Sequence, residues 1–289
     1  MPPGDIYMST IGTRVFQRSF HTQREPLAGA LFLHGLGEHG GRHERSLALF
    51  AHHGIHCRTF DWPGHGKTEG RRGYIDSMET ITTLIGEQMA MLRETLGPDK
   101  QIGLLGHSMG GFLALYHLAL YPDIADFAWI TSPLIDPEAN ASWLKRQFVQ
   151  LINRVCPTFT VRSGIRATQC RHGSKKRADP LMHSLISVRL GTLLVEAAHE
   201  LQTHVSEINP SLRLLMTHGG ADVVCPPSLS RAFFERLPNE HRTYRILPGL
   251  LHEPFLDTGF EAFYEVLERW ISDDLIPSLT RLSQAKCSI

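Results

Sequence analysis

Ile102-Gly103-Leu104-Leu105-Gly106-His107-Ser108-Met109-Gly110-Gly111-Phe112-Leu113-Ala114-Leu115 is the stretch whose reading decides the fold. A short apolar run, the right length for a buried strand, enters a glycine-flanked serine, and an apolar helix leaves it. Gly106 to Gly110 fits the pattern G-x-S-x-G. A sharp strand-to-helix turn crowds the backbone, so the positions flanking the serine must lack a side chain. The turn also holds the hydroxyl at a helix N-terminus, where the dipole favours developing negative charge. Ser108 is the candidate nucleophile. The five-residue pattern is common by chance, and the strand before it and helix after it give it weight.

Working outward, strand-like segments alternate with helix-like ones. On the N-terminal side lie strand candidates at Arg14–Phe20, Ala30–Leu33 and Ile55–Phe60. Helices are expected from about Arg42 to His53 and over Glu79–Leu96, the second stopped by Gly97-Pro98. On the C-terminal side come strands at Phe127–Thr131, Leu212–Met216 and Tyr244–Leu247, with helices around Leu229–Leu237 and Phe260–Ile271. This alternation predicts an α/β fold with a mostly parallel sheet and helices on both faces. Arg14–Phe20 is expected in an antiparallel N-terminal part. Between Pro133 and about Pro210 the alternation stops. Leu144, Phe148, Leu151 and Val155 recur there at helical spacing, and a second helix is expected over Ile186–Leu201. The reading is an inserted helical lid over 134–210, dividing the core into 1–133 and 211–289. No internal repeat appears.

A serine hydroxyl is a weak nucleophile and needs a base, which in turn needs an orienting acid. Leu214 to Asp222 reads as a strand, a glycine-rich turn and an acid; Ile246 to His252 repeats the pattern with a histidine. Asp222 and His252 therefore fall at the carboxyl edge of the sheet, in the chain order Ser, Asp, His. His218 is expected to pack or to act behind the acid, and Asp257 to cap the last helix. A tetrahedral oxyanion needs two backbone donors, and Met109 N–H and Leu36 N–H, in His34-Gly35-Leu36-Gly37, are the candidates.

Two other glycine motifs compete. Gly35-Leu36-Gly37-Glu38-His39-Gly40 matches G-x-G-x-x-G after a strand, with Asp61 about twenty residues on, as a nicotinamide-dinucleotide site would have it. That alternative gives no reason for the serine elbow or for Asp222 and His252. Gly64-His65-Gly66-Lys67-Thr68 resembles the end of a P-loop, but Asp61 stands where its first glycine is required.

Bulk properties narrow the classes further. The formal net charge is +0 over 289 residues, so nothing pulls the chain toward nucleic acid. The 5 cysteines are scattered, with no CxxC, which fits free thiols in a reducing cytoplasm. The 17 histidines include no HExxH, so no metal is expected. No signal-peptide pattern and no apolar stretch of ~20 residues is present, so a soluble protein is expected. The basic run Arg171 to Arg177 is expected to be a solvated loop.

With these residues in place the chain resembles the monoacylglycerol lipase and lysophospholipase branch of the α/β-hydrolases, a group of serine aminopeptidase-type hydrolases. The marks are His34-Gly35-Leu36-Gly37-Glu38-His39 with Arg42, Asp61-Trp62-Pro63-Gly64-His65-Gly66-Lys67-Thr68-Glu69-Gly70, the elbow, Ser132-Pro133-Leu134, Asp179-Pro180-Leu181, and the Asp222 and His252 loops. The likeness spans most of the chain. It implies an eight-stranded α/β-hydrolase core, a lid over an acyl tunnel and no cofactor. It also puts Glu38 and Arg42 near the alcohol pocket, with ion pairing between them as the other reading, and Cys225 close to the site. Lipases of this group often carry a second histidine shortly after the catalytic one; here Glu253-Pro254-Phe255 follows His252.

The expectation is a serine hydrolase of fatty-acyl esters, with Trp143 and Phe148 on the apolar lid face as substrate contacts and a transient membrane-surface contact through the lid. Peptidase or amidase chemistry on the same fold is the alternative.

Overall fold

The structure, a computed structural model, describes residues 3–138, 143–173, 179–238 and 240–286; for 143–148 and 282–286 it describes the backbone alone. Eight strands form one sheet in the order β1-β2-β4-β3-β5-β6-β9-β10. They are β1 (Gly4–Met8), β2 (Arg14–Phe20), β3 (Ala28–Leu33), β4 (Ile55–Phe60), β5 (Gln101–His107), β6 (Phe127–Thr131), β9 (Arg213–Gly219) and β10 (Arg242–Leu247). Strands β1 and β2 run antiparallel to their neighbours, and every pairing from β4 to β10 is parallel.

Each central strand is buried on both faces, which is why it reads as a continuous apolar run. Leu31 and Leu33 of β3 point to one apolar cluster; Ala30 and Phe32 point to the other. The first cluster lies under α2 (Met78–Leu96), α3 (Met109–Leu120), α6 (Val188–His204) and α7 (Pro227–Glu235). The second lies under α1 (Glu44–His52) and α8 (Glu261–Arg269). Helix α2 ends where expected: Gly97 takes φ 88° and its N–H closes on Arg93 O at 2.8 Å.

Three features depart from the sequence reading. Strand β1 was not expected, because four of its five residues are exposed on an edge and leave no apolar alternation. Between β6 and β9 the chain is not helical throughout. Besides α4 (Trp143–Val155), α5 (Ala167–Cys170) and α6, it holds an antiparallel pair, β7 (Thr160–Arg162) and β8 (Leu185–Ser187). Three residues are too few to show a period of two, and Ile186, taken as helical, belongs to β8. Ser187 caps α6 by accepting from Leu190 N–H at 3.1 Å. The closing helix continues past Ile271 through a π turn (Trp270–Leu275) into α9 (Ile276–Lys286). Pro277, which has no N–H to donate to the preceding turn, directly follows the π turn.

Among the described residues no helix is long and apolar enough to cross a membrane, and Cys57, Cys156, Cys170 and Cys225 are free thiols.

Candidate active site

Ser108 sits between β5 and α3 at φ 53°, ψ −119°, a region that L residues rarely adopt. The glycines around it are sterically required. A Cβ on Gly106 would fall 2.5 Å from Gly110 O, and one on Gly110 2.1 Å from Leu33 O. The strain is held by Ser108 N–H to Thr131 O at 3.1 Å and by Leu134 N–H to Ser108 O at 3.1 Å.

The carboxyl edge of the parallel strands brings the other two residues to this point. His252 Nε2 lies 2.9 Å from Ser108 Oγ, and His252 Nδ1 lies 2.7 Å from Asp222 Oδ2. With Nδ1–H donating to the carboxylate, Nε2 is left to accept from the hydroxyl. Asp222 Oδ1 takes the N–H groups of Val224 and Cys225 at 2.8 and 2.9 Å. Burial alone would raise the Asp222 pKa, but hydrogen bonds from His218 and His252 hold it well below the usual carboxylate range. His218 therefore acts behind the acid: its Nε2 lies 3.1 Å from Asp222 Oδ2 and 2.7 Å from Cys225 O, and its Nδ1 accepts from Ser230 Oγ at 2.7 Å. Cys225 is buried against Ser108, and burial followed by the Asp222 charge pushes its thiol pKa up, so it stays protonated.

Leu36 belongs to a turn beside the elbow, where a Cβ on Gly35 would come 3.1 Å from Ser108 Cβ. Met109 opens α3, so its N–H has no partner within the helix. Both residues border the nucleophile.

Glu38 ties this turn to the rest of the site. Its Oε1 accepts from Gly35 N–H (2.6 Å), His43 Nε2 (3.0 Å) and His107 Nδ1 (3.0 Å), and its Oε2 accepts from Arg42 (2.7 Å). Arg42 then grips Glu253 through two bonds of 2.9 and 2.8 Å. His107 Nε2 donates to His252 O at 3.1 Å. Burial lowers the His107 pKa, but Glu38 outweighs it and the net shift is upward; His43, on the same carboxylate, is pushed by burial down to about 4. Glu38 and Arg42 thus both pair and line the cavity over Ser108. Sequence reasoning noticed Glu253 only as a missing histidine; its bond to Arg42 links segments 211 residues apart and leaves no local pattern. Glu38, His43 and His107 are also close enough to hold a metal ion, with ligand atoms within 4.8 Å. Those atoms already bond one another, and the adjacent guanidinium opposes a cation.

Asp257 does not cap the last helix, where Phe260 is the N-cap residue and no side chain caps. Its buried carboxylate instead takes Leu251 N–H at 2.7 Å, next to His252, and the backbone and ring of His172. A lone Asp before a helix looks like a cap, and the distant His172 gives no sequence signal. Arg171 corrects the expectation of a solvated basic run, because it lines the cavity over Ser108; residues 174–178 of that run lie outside the described residues. The side chains of Trp143 and Phe148 lie outside them too.

The rival motifs are absorbed by local structure. Asp61 spends one oxygen on Gly40 N–H and the other on Lys67 N–H, both at 2.9 Å, leaving it no role toward a ribose. Gly64 (φ 69°) and Gly66 (φ 49°) form a tight turn rather than a phosphate loop opening a helix.

Comparison with known proteins agrees with this fold. The family described as "Serine aminopeptidase, S33" matches residues 24–259. A monoglyceride lipase of Rattus norvegicus is 26% identical over 270 residues, covering 90% of this chain and 88% of its own. An uncharacterized abhydrolase domain-containing protein of Dictyostelium discoideum is 28% identical over 262 residues, or 89% of this chain, which spans only 27% of that protein's length. The crystal structure of a monoacylglycerol lipase from Paleococcus ferrophilus superimposes with a TM-score of 0.79 at 26% identity, covering 92% of this chain and 98% of that one. The α/β-hydrolase architecture is common to all of this.

Proposed function

Because the chain belongs to the serine aminopeptidase S33 family of α/β-hydrolases, we propose that it hydrolyses carboxylic esters of fatty-acyl groups through an acyl-enzyme on Ser108. The observation that carries the reading is the continuous path from Asp222 through His252 to Ser108, 2.7 Å and then 2.9 Å. In the proposed cycle Ser108 Oγ attacks the ester carbonyl as His252 Nε2 takes its proton. Asp222 stabilises the imidazolium, and the N–H groups of Leu36 and Met109 take the oxyanion. The proton passes to the leaving alcohol, and a water activated by the same histidine frees the acid.

An acyl ester is preferred to a peptide because a monoglyceride lipase and a monoacylglycerol lipase are among the similar proteins. The family description itself favours peptide chemistry as the second reading. We assign residues 134–210 as a lid. Support comes from Leu151, Val155 and Phe159, which are 58%, 78% and 48% exposed and offer an apolar face to a lipid surface. The free thiols fit a cytoplasmic setting.

A fluorophosphonate should label Ser108 alone, and Ser108→Ala should abolish labelling and ester turnover together. Normal turnover by that variant would overturn the assignment. Acyl esters compared with aminoacyl amides at equal concentration separate the two readings.

A further inference from the structure

The cavity over Ser108, about 410 Å³, is lined by charged as well as apolar side chains. Its wall carries three guanidinium groups, Arg42, Arg166 and Arg171, and three carboxylates, of which Glu38 and Glu253 are held by Arg42 and Asp179 by His39. Arg42 is fully engaged by Glu38 and Glu253. Arg171 is not. Its Nε is buried without a hydrogen-bond acceptor among the described residues, and the closest carboxylate oxygen, Glu253 Oε2, stands 3.6 Å away, already held by Arg42. Arg166 is exposed at the rim, and no carboxylate among the described residues pairs with it. A planar cation with unused donors in a sheltered cleft is suited to two oxygens of an anion.

The backbone fixes where that anion would sit. Glu253 N–H donates to Cys170 O at 2.8 Å, so Arg171 is tethered beside the loop that carries His252. His252 delivers its proton to the departing alcohol in the mechanism above. An anion held by Arg171 would therefore lie beside the imidazole that protonates the departing alcohol, on the alcohol half of the substrate.

Resting on the hydrolase reading, we propose that Arg171, assisted by Arg166, selects acyl esters whose alcohol carries an anionic group, a phosphomonoester or a carboxylate. An acylglycerol phosphate is the simplest such substrate. The bonds broken and formed remain those of ester hydrolysis; the anion only binds.

The test compares kcat/KM for a 1-acylglycerol, the 1-acylglycerol 3-phosphate and the acyl ester of glyceric acid, all with one acyl chain. Active sites are titrated with fluorophosphonate so that rates refer to folded enzyme. The wild type should favour at least one anionic ester over the neutral one, and which arm leads identifies phosphate or carboxylate. Arg171→Ala should erase about tenfold to a hundredfold of that preference, mainly through KM, as loss of a charge-assisted bond does. Arg171→Lys should restore only part of it, and Arg166→Ala should remove less. Equal rates on all three esters in the wild type would overturn the proposal, as would an Arg171→Ala loss of the same size on neutral and anionic esters. Failure to turn over any ester, including a p-nitrophenyl ester, would instead overturn the hydrolase reading on which it rests.

Discussion

On the sheet side of the cavity Glu38, His107, Asp222 and His252 are all buried and joined by hydrogen bonds of 2.7 to 3.1 Å. On the far side, α4 and the chain after it leave Leu151, Val155 and Phe159 open to solvent. Polar contacts between the two sides include His183 N–H to Gly37 O, Ser187 N–H to Gly73 O, Glu253 N–H to Cys170 O, and the His39–Asp179 and His172–Asp257 pairs. The candidate catalytic groups are built into the core, as groups that must hold position need to be, whereas the proposed lid leaves apolar side chains in solvent. The same insertion spans both regimes, because α6 buries Leu190, Leu194, Ala197 and Leu201 in the main core beside α3.

The largest effect should come from Asp222→Asn, which keeps the shape but withdraws the charge behind His252. We expect kcat to fall by about 10³–10⁴-fold with little change in KM, read by steady-state kinetics on a p-nitrophenyl ester. A loss below about tenfold would mean the acid lies elsewhere. Next, Glu38→Gln breaks a buried ionic cluster and should cost about 3–5 kcal/mol in chemical denaturation, with kcat falling because the Gly35 turn loosens. The two sides are separated most directly by a pair of truncations. Leu194→Ala in α6 should cost about 2–5 kcal/mol, and Leu151→Ala in α4 less than about 0.5 kcal/mol. Similar costs would erase the distinction between them.

Acid should attack the sheet side first. His34, His43 and His117 are held by burial down to about 3, 4 and 4, so they fold neutral. An unfolded histidine titrates near ~6.5, so below that pH the unfolded chain binds more protons. Their contribution to stability is complete above ~6.5 and drains away as pH falls toward 4. Asp222 and Glu38, held below the carboxylate range, add a loss at lower pH still. His107 is shifted upward and runs the other way, its contribution declining as pH rises through its folded value. Thermal midpoints across pH 4 to 8 should therefore drop on the acid side, and a flat profile there would show these imidazoles to be hydrated. The smallest effect is expected from Val155→Asp: no change on a soluble short-chain ester, and a few-fold slower turnover of a long-chain ester in vesicles.

The elbow, the strands and the Ser108–Asp222–His252 order were legible because each is written in consecutive residues: a glycine that a carbonyl forbids to grow, or an apolar run ending in an acid. Where the reading fell short, the partner lay far away in sequence. Asp257 was expected to serve its neighbouring helix, yet it serves His172 across 85 residues. Arg171 was assigned to a solvated run by its basic neighbours, and only folding turns it toward the cleft. Strand β1, exposed on an edge, carries no apolar pattern at all.

The double membership of the stretch between β6 and β9 has a consequence for engineering. A chimaera that imports another enzyme's selectivity should not exchange everything up to residue 210, since that would excise part of the host's own interior along with the foreign surface. The natural seam lies at Ser187, whose hydroxyl starts α6 and whose N–H is anchored to Gly73 O at 2.8 Å. Grafts that keep Leu134 and Ile135 and join at Ile186 leave the recipient's packing whole among the described residues.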